Sequence, residues 1–520
     1  MLVLGLGLLL AAPLGRMSAQ TFPTSDPILE RIWEQGMENS QVYPLAQALL
    51  DSIGPRLTGS PELIAANEWA VAMLQGWGIE ARNEQYGTWM GWQRGISHID
   101  LIKPRIRSLN GMMLAWSPGT DGKVTGEAVI IPELANVAEL DAWLPQVRGK
   151  FVLTSFAQPT CRPDANWDEF ATPTSFQSMR AARSEAQQAW RGRTSGTELT
   201  GAELVRRFED AGAVGIITSN WPGGWGVDRI FSASTEQVPT FDVSCEDYGL
   251  VYRLAENGQH PMLQMEAEAE FSPGAPLFNT VGVIPGSEKP DEYIVLSAHY
   301  DSWDGGSGAT DNATGSVTML EAMRILKAVY PNPKRTIIVG LWNSEEQGLN
   351  GSRAFAADHP EVLEGMQALF NQDNGTGRVV NVSTSGLPGA APFFGRWMSA
   401  LPQEISQHID LSFPGNPSGG GTDHASFICA GAPAFGLGSL SWDYFRYTWH
   451  TNIDTFDKLV FDDLKNNATL VAMLTYMASE EPERIPRDRR ELAVDPRTGE
   501  QREWPTCRDA RRSWEAYRNR

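Results

Sequence analysis

Cysteine is scarce: the 520-residue chain holds four, Cys161, Cys245, Cys429 and Cys507, with no Cys-x-x-Cys spacing among them. That spacing argues against a thiolate metal site. It leaves room for one or two disulfides in an exported chain, with Cys161–Cys245 the first pair to test, or for four free thiols. Basic charge is also short: 42 Lys and Arg stand against 63 Asp and Glu, a net charge of −21. Nucleic acid is excluded as a partner, because a phosphate-binding surface needs clustered Lys and Arg. Long apolar runs are missing after the first residues, and none approaches the ~18 residues of a membrane-spanning helix. Internal repeats and low-complexity tracts are absent.

The N-terminal run Leu2–Leu14 is apolar but too short to span a bilayer. It reads as the h-region of a secretory signal covering residues 1–19, cleaved after Ala19. No positive region precedes it, so an uncleaved segment that anchors the chain is the alternative. Either way the expected location is outside the cytoplasm, secreted or periplasmic. The length argues for two or three domains.

Residues 20–120 begin with helical patterning; "ELIAANEWAVAMLQGWG" spaces Leu63, Trp69, Met73 and Leu74 on helical steps and ends in glycine. Across 121–272 the texture changes to short β-rich runs bounded by Gly or Pro, such as "GKFVLTSFA" and "GAVGIITSN", with two helices between them. From 273 to 480 strand and helix alternate: "EYIVLSAH", "SVTMLEAMRILKAVY", "KRTIIVGLWN", "MQALFNQ", "APAFGLG". The expected fold class is α/β, a mixed and mostly parallel doubly wound sheet with a small inserted α/β domain. Residues 481–520 form a tail of little periodicity that wraps the surface or is partly loose.

Ligands of such a sheet bind beyond the carboxyl ends of its strands, and the charged residues sit there. His299 and Asp301 follow one strand, Glu345 and Glu346 a second, and Asp373 a third. Asp311 enters a helix from the glycine-rich loop of "SAHYDSWDGGSGATDNATG", and His450 lies in the later loop "RYTWHTNIDTFDKL". Bare, the carboxylates of Asp311, Glu346 and Asp373 would repel one another and raise their own pKa values. Two Zn²⁺ ions, with His299 and His450 as neutral ligands, reverse that repulsion, and one bridging hydroxide brings the set to neutrality. Oxygen and imidazole donors without thiolate suit zinc, with cobalt or manganese as substitutes. Glu345 remains to move a proton between the attacking water and the leaving amine.

"HYDSWDGGSGATDN", "NSEEQGLNGSRAF", "QDNGTG" and "WHTNIDT" resemble the metal motifs of the co-catalytic di-zinc exopeptidases, metallopeptidase family 28. "IGPRLTGS" and the Asp-Ser-Trp after His299 are most similar to the carboxypeptidase Q branch, with likeness running from about Gln41 to Ser479. The resemblance implies one zinc on His299, Asp311 and Asp373, a second on Asp311, Glu346 and His450, and Glu345 as base. It also implies that Asp301 supports catalysis by orienting His299, that the Asp311–Asn312 bond is cis, and that residues 121–272 are a protease-associated (PA) domain. That domain would restrict access, contact substrate or build a homodimer. The implied activity is hydrolysis of short peptides by a metal-bridged hydroxide, as aminopeptidase or as dipeptidase or carboxypeptidase. "GGGTDHASF" resembles a segment near the family's substrate pocket, with no metal role for Asp423 or His424. Trp449 stands where many members have Tyr, which leaves Tyr444 and Tyr447 as candidates to steady an oxyanion. No arginine cluster can be assigned to an acidic-substrate pocket.

Two rival readings are an inactive binding protein on a peptidase fold, such as transferrin receptor, and a single-zinc glutaminyl cyclase. Retention of all five ligand positions and the base argues against the first. The cyclases dispense with the position of His299.

Overall fold

A computed structural model describes residues 22–518; the expected signal segment 1–19 lies outside them. No helix among the described residues is long and apolar enough to cross a membrane.

The apolar runs after residue 278 become a parallel sheet. Strand Lys289–His299 lies between Arg335–Trp342 and Met366–Asn371, both parallel to it, and Ala434–Ser439 extends the sheet past Met366–Asn371. Arg335–Trp342 and Met366–Asn371 are buried at every residue, as strands covered on both faces must be. Helices Thr314–Val329 and Phe461–Glu480 pack on each other and on these strands. Because the strands run the same way, their carboxyl ends at His299, Trp342, Asn371 and Ser439 gather along one edge.

The sheet does not stop there. Strand Met262–Ile284 pairs antiparallel with Arg335–Trp342 at one end and with Val124–Ile130 at the other. Parallel strands Val124–Ile130, Phe151–Leu153, Gly215–Thr218 and Thr240–Val243 follow, and antiparallel Gly111–Met113 closes that side. Together they form one 14-stranded, mixed sheet. Residues 272 and 273, taken from sequence as a domain boundary, thus lie inside a continuous strand.

That strand pairs with Glu80–Lys103 from Glu80↔Val283 to Lys103↔Met262 in a long ribbon that the sequence pattern did not announce. Glycines at 87, 91 and 95 blur its alternation. Gly91 is demanded by close approach, since a Cβ there would lie 2.8 Å from the carbonyl oxygens of both Gly59 and Ser272. Cys161 pairs with Cys245, and Cys429 with Cys507. The tail ends in helix Trp514–Arg518, whose Trp514 and Tyr517 pack against Trp89 and Trp116.

Candidate metal centre

His299 closes its strand, and Ser316 Oγ donates to its carbonyl at 2.7 Å. Its Nδ1 lies 3.0 Å from the carbonyl oxygen of Asp301, which leaves Nε2 pointing at acids: 3.1 Å from Asp373 Oδ1 and 3.3 Å from Asp311 Oδ1. The other oxygen of Asp311, Oδ2, is 3.3 Å from His450 Nε2, which is also 2.9 Å from Glu346 Oε2. Asp311 therefore turns one oxygen to each imidazole. His299, Asp311 and Asp373 present donor atoms all within 4.8 Å of one another, and so do Asp311, Glu346 and His450. Five residues expected from sequence as ligands thus converge into two adjoining triads.

Asp301 meets the other ring nitrogen of His299 through its backbone carbonyl. Its carboxylate is 3.8 Å from His299 Nδ1, beyond a hydrogen bond, while its own backbone carbonyl orients that ring. The carboxylate instead accepts the backbone N–H groups of Glu345, at 3.1 Å, and Glu346, at 3.3 Å. The physical reason is the tight turn after Trp342, whose N–H groups have no strand partner and need an acceptor. The Asp301 carboxylate thus holds the backbone of the two glutamates in place.

Two further residues shape the loop, and the sequence reading gave neither a role. Asp454 accepts Thr310 N–H at 2.8 Å and Asp311 N–H at 3.1 Å, one on each oxygen. Arg56, with 0 % exposure, donates to the carbonyls of Tyr300, Ser307, Gly308 and Gly54. Both sit in stretches singled out earlier, "WHTNIDT" and "IGPRLTGS". An acid or an arginine in a turn gave no sign of its distant partner. Gly308, at φ 61°, packs so closely that a Cβ would sit 2.3 Å from that of Ser302. The Asp311–Asn312 peptide is cis.

The electrostatics of the bare protein are those of an anionic cage. Burial pushes the Glu345 carboxyl well up; the His299 charge, next in size, pulls it down, and the charges of Asp373, Asp423 and Glu346 add to the rise. Burial and Asp311 do the same to Glu346. Burial would lower His299, but Asp373, Asp301 and Asp311 outweigh it and raise it well above the usual range. Burial would raise Asp311, but His299 and His450 hold it down. Burial pulls His450 down to about 4. Asp311 Oδ2, Glu346 Oε1 and His450 Nδ1 are buried without a hydrogen-bond partner. Acids kept in contact and buried oxygens left unpaired fit divalent cations. The oxygen and imidazole donor set fits zinc.

The walls are aromatic and partly borrowed from the loop between strands Gly215–Thr218 and Thr240–Val243. Trp449 stacks on His450 at 3.9 Å, Phe231 lies 5.1 Å from the His450 ring, and Ile230 N–H donates to the His450 carbonyl. Of the oxyanion candidates, Tyr444 is buried, and burial followed by the Asp311 charge raises its phenol, whereas the Tyr447 ring packs over Gly224. Asp423 and His424 stay outside both triads. Burial pushes Asp423 up to about 7 and His424 down to about 4.

Comparison with known proteins gives a consistent picture. Residues 279–475 match the family described as Peptidase family M28. Carboxypeptidase Q of Bos taurus is 27% identical over 454 residues, 87% of this chain and 88% of that protein. Carboxypeptidase Q of Homo sapiens is 26% identical over the same shares. Among solved structures, a peptidase M28 precursor from Shewanella amazonensis SB2B superposes with a TM-score of 0.65 at 22% identity, covering 88% of this chain and 97% of that one. A zinc aminopeptidase from Bacillus subtilis does so with 0.54 at 19% identity, covering 85% and 94%. These two likenesses are likenesses of fold.

Proposed function

We propose that the chain is a member of peptidase family M28, whose model matches residues 279–475, and that it is a zinc-dependent exopeptidase acting on short peptides. The observation that carries the reading is Asp311, whose two oxygens face two separate imidazoles, each with a further carboxylate beside it. His299, Asp311 and Asp373 would hold one zinc, and Asp311, Glu346 and His450 the other. Bound there, the ions would acidify a water and polarise the scissile carbonyl. Glu345 takes the proton from the attacking water and delivers it to the leaving amine. Asp301 fixes the backbone from which Glu345 reaches. Asp454 and Arg56 fix the loop that presents Asp311. Two disulfides support export as the setting of this activity. The parallel strands between residues 124 and 243 support the PA-like reading of the insert, whose residues 230 and 231 reach the His450 loop.

The test is a panel of short peptides, free or blocked at either end, assayed with metal content measured before and after a chelator. Hydrolysis should vanish as zinc is stripped and return with zinc, cobalt or manganese. Cleavage only of free-amine peptides makes the enzyme an aminopeptidase, and cleavage of N-blocked peptides a carboxypeptidase. A rate that survives complete loss of metal overturns the reading.

A further inference from the structure

The two imidazoles of the candidate centre are held in different ways. His299 ends a paired strand, and its Nδ1 meets the Asp301 carbonyl oxygen at 3.0 Å. His450 lies in a loop, and its Nδ1 is buried with no hydrogen-bond partner among the described residues. A histidine that ligates a metal almost always has its other ring nitrogen fixed by an acceptor. His450 also has φ 59°, a left-handed backbone that a non-glycine residue keeps only where its surroundings enforce it. Its pose is therefore set from outside.

Residues 228–231, in the loop between strands Gly215–Thr218 and Thr240–Val243, supply what is needed. Arg229 and Thr451 form an isolated antiparallel bridge. On either side of it Ile230 N–H donates to the His450 carbonyl at 2.7 Å, and Asn452 N–H to the Asp228 carbonyl at 3.1 Å. The Asn452 side chain adds two more bonds: Oδ1 accepts Asp228 N–H at 3.0 Å, and Nδ2 donates to Asp228 Oδ2 at 3.1 Å. Asp228, Ile230 and Thr451 are buried, so a bond broken here leaves a group unpaired away from water. Arg229 donates to the Phe445 carbonyl at 2.7 Å, and its guanidinium stands 4.8 Å from the centre of the Trp449 ring. The His450 ring is boxed in by Trp449 at 3.9 Å, Phe231 at 5.1 Å and Trp303 at 5.8 Å. We propose that residues 228–231 are the positioning element of His450, doing for this imidazole what the Asp301 carbonyl does for His299. The site of Asp311, Glu346 and His450 is then complete only with that segment docked. The site of His299, Asp311 and Asp373 does not need it. This role rests on the peptidase reading above.

The experiment uses the full zinc-loaded chain and follows zinc release against graded chelator, with metal content measured at each step and denaturant unfolding measured beside it. Wild type should release two zincs per chain, and His450→Ala, which deletes a ligand, identifies the step that belongs to its site. Phe231→Ala removes the ring beside His450, and Asn452→Asp sets a second carboxylate against Asp228. Each should weaken that zinc by about 10- to 100-fold, as loss of an outer partner of a metal ligand does, and leave the other within a few fold. Adding Asp228→Asn to Asn452→Asp again faces a donor with an acceptor, and the lost affinity should return. Leu140→Ala, in a separate buried cluster of the insert, should lower the unfolding midpoint and move neither zinc. Phe231 is half-buried, so its variant decides the matter should Asn452→Asp fail to fold. Equal weakening of both zincs, or no weakening in either variant, overturns the positioning role and leaves the peptidase reading intact. The expected zinc pattern without cleavage of any peptide sinks the peptidase reading and keeps the positioning role. A wild type that binds fewer than two zincs overturns the role together with the paired site.

Discussion

Glu345 is the residue on which the proposed chemistry turns, because it is a half-buried acid next to the ligand Glu346 and neither triad uses it. Glu345→Gln keeps the shape of the side chain and removes the proton acceptor. The expected result is a loss of about a hundred- to ten-thousand-fold in kcat with zinc content unchanged. A variant within a few fold of wild type would remove Glu345 from the mechanism. At this scale the sequence was legible where a chemical residue follows an apolar strand. His299, Glu345, Glu346 and Asp373 could be picked out that way, and the structure sets His299 beside Asp373 and puts Glu346 in the adjoining triad. It was illegible where function comes from a backbone atom. Nothing in the letters says that the carbonyl of Asp301, not its carboxylate, meets His299 Nδ1.

The element that matters most is the glycine-rich loop from Tyr300 to Thr310. It has no ladder of its own, so its backbone groups are satisfied from outside: its carbonyls by Arg56 and its last N–H by Asp454. Asp454→Asn leaves an amide group where the second oxygen accepted Asp311 N–H. Removing such an outer partner of a metal ligand costs about 10- to 100-fold in metal affinity. Zinc retained after dialysis against graded chelator should fall by that factor, and unaltered retention would mean that the loop holds Asp311 unaided. Arg56→Met strips several buried carbonyls of their donor, each at a cost of about 1–3 kcal/mol, so a loss of at least that much in denaturant unfolding is the expected scale. The strands flanking this loop were readable from continuous apolar runs such as "YIVL" and "TIIVGLW". The ribbon Glu80–Lys103 was not, because its register comes from pairing with a strand that lies far along the chain. Gly91 fits it through close approach, a property of the neighbour and not of the segment.

Over the whole molecule, the chain is drawn together by its C-terminal tail. Residues beyond 480 look featureless in sequence, yet they cross from the peptidase strands to the ribbon. Cys507 is bonded to Cys429, Arg512 pairs with Asp358 and receives Thr88 N–H on its carbonyl, and Trp514 packs on Trp89 and Trp116. The two disulfides close comparable spans, with sequence separations of 84 and 78, so loop entropy alone makes each worth about 4 kcal/mol. Cys161→Ser with Cys245→Ser loosens the part of the sheet between residues 124 and 243. Cys429→Ser with Cys507→Ser frees the tail from the end of helix Ala425–Ile428. Both double variants should therefore unfold at lower denaturant than wild type. A double variant that unfolds at the same denaturant concentration as wild type would show that the packing around that bond holds the segment unaided.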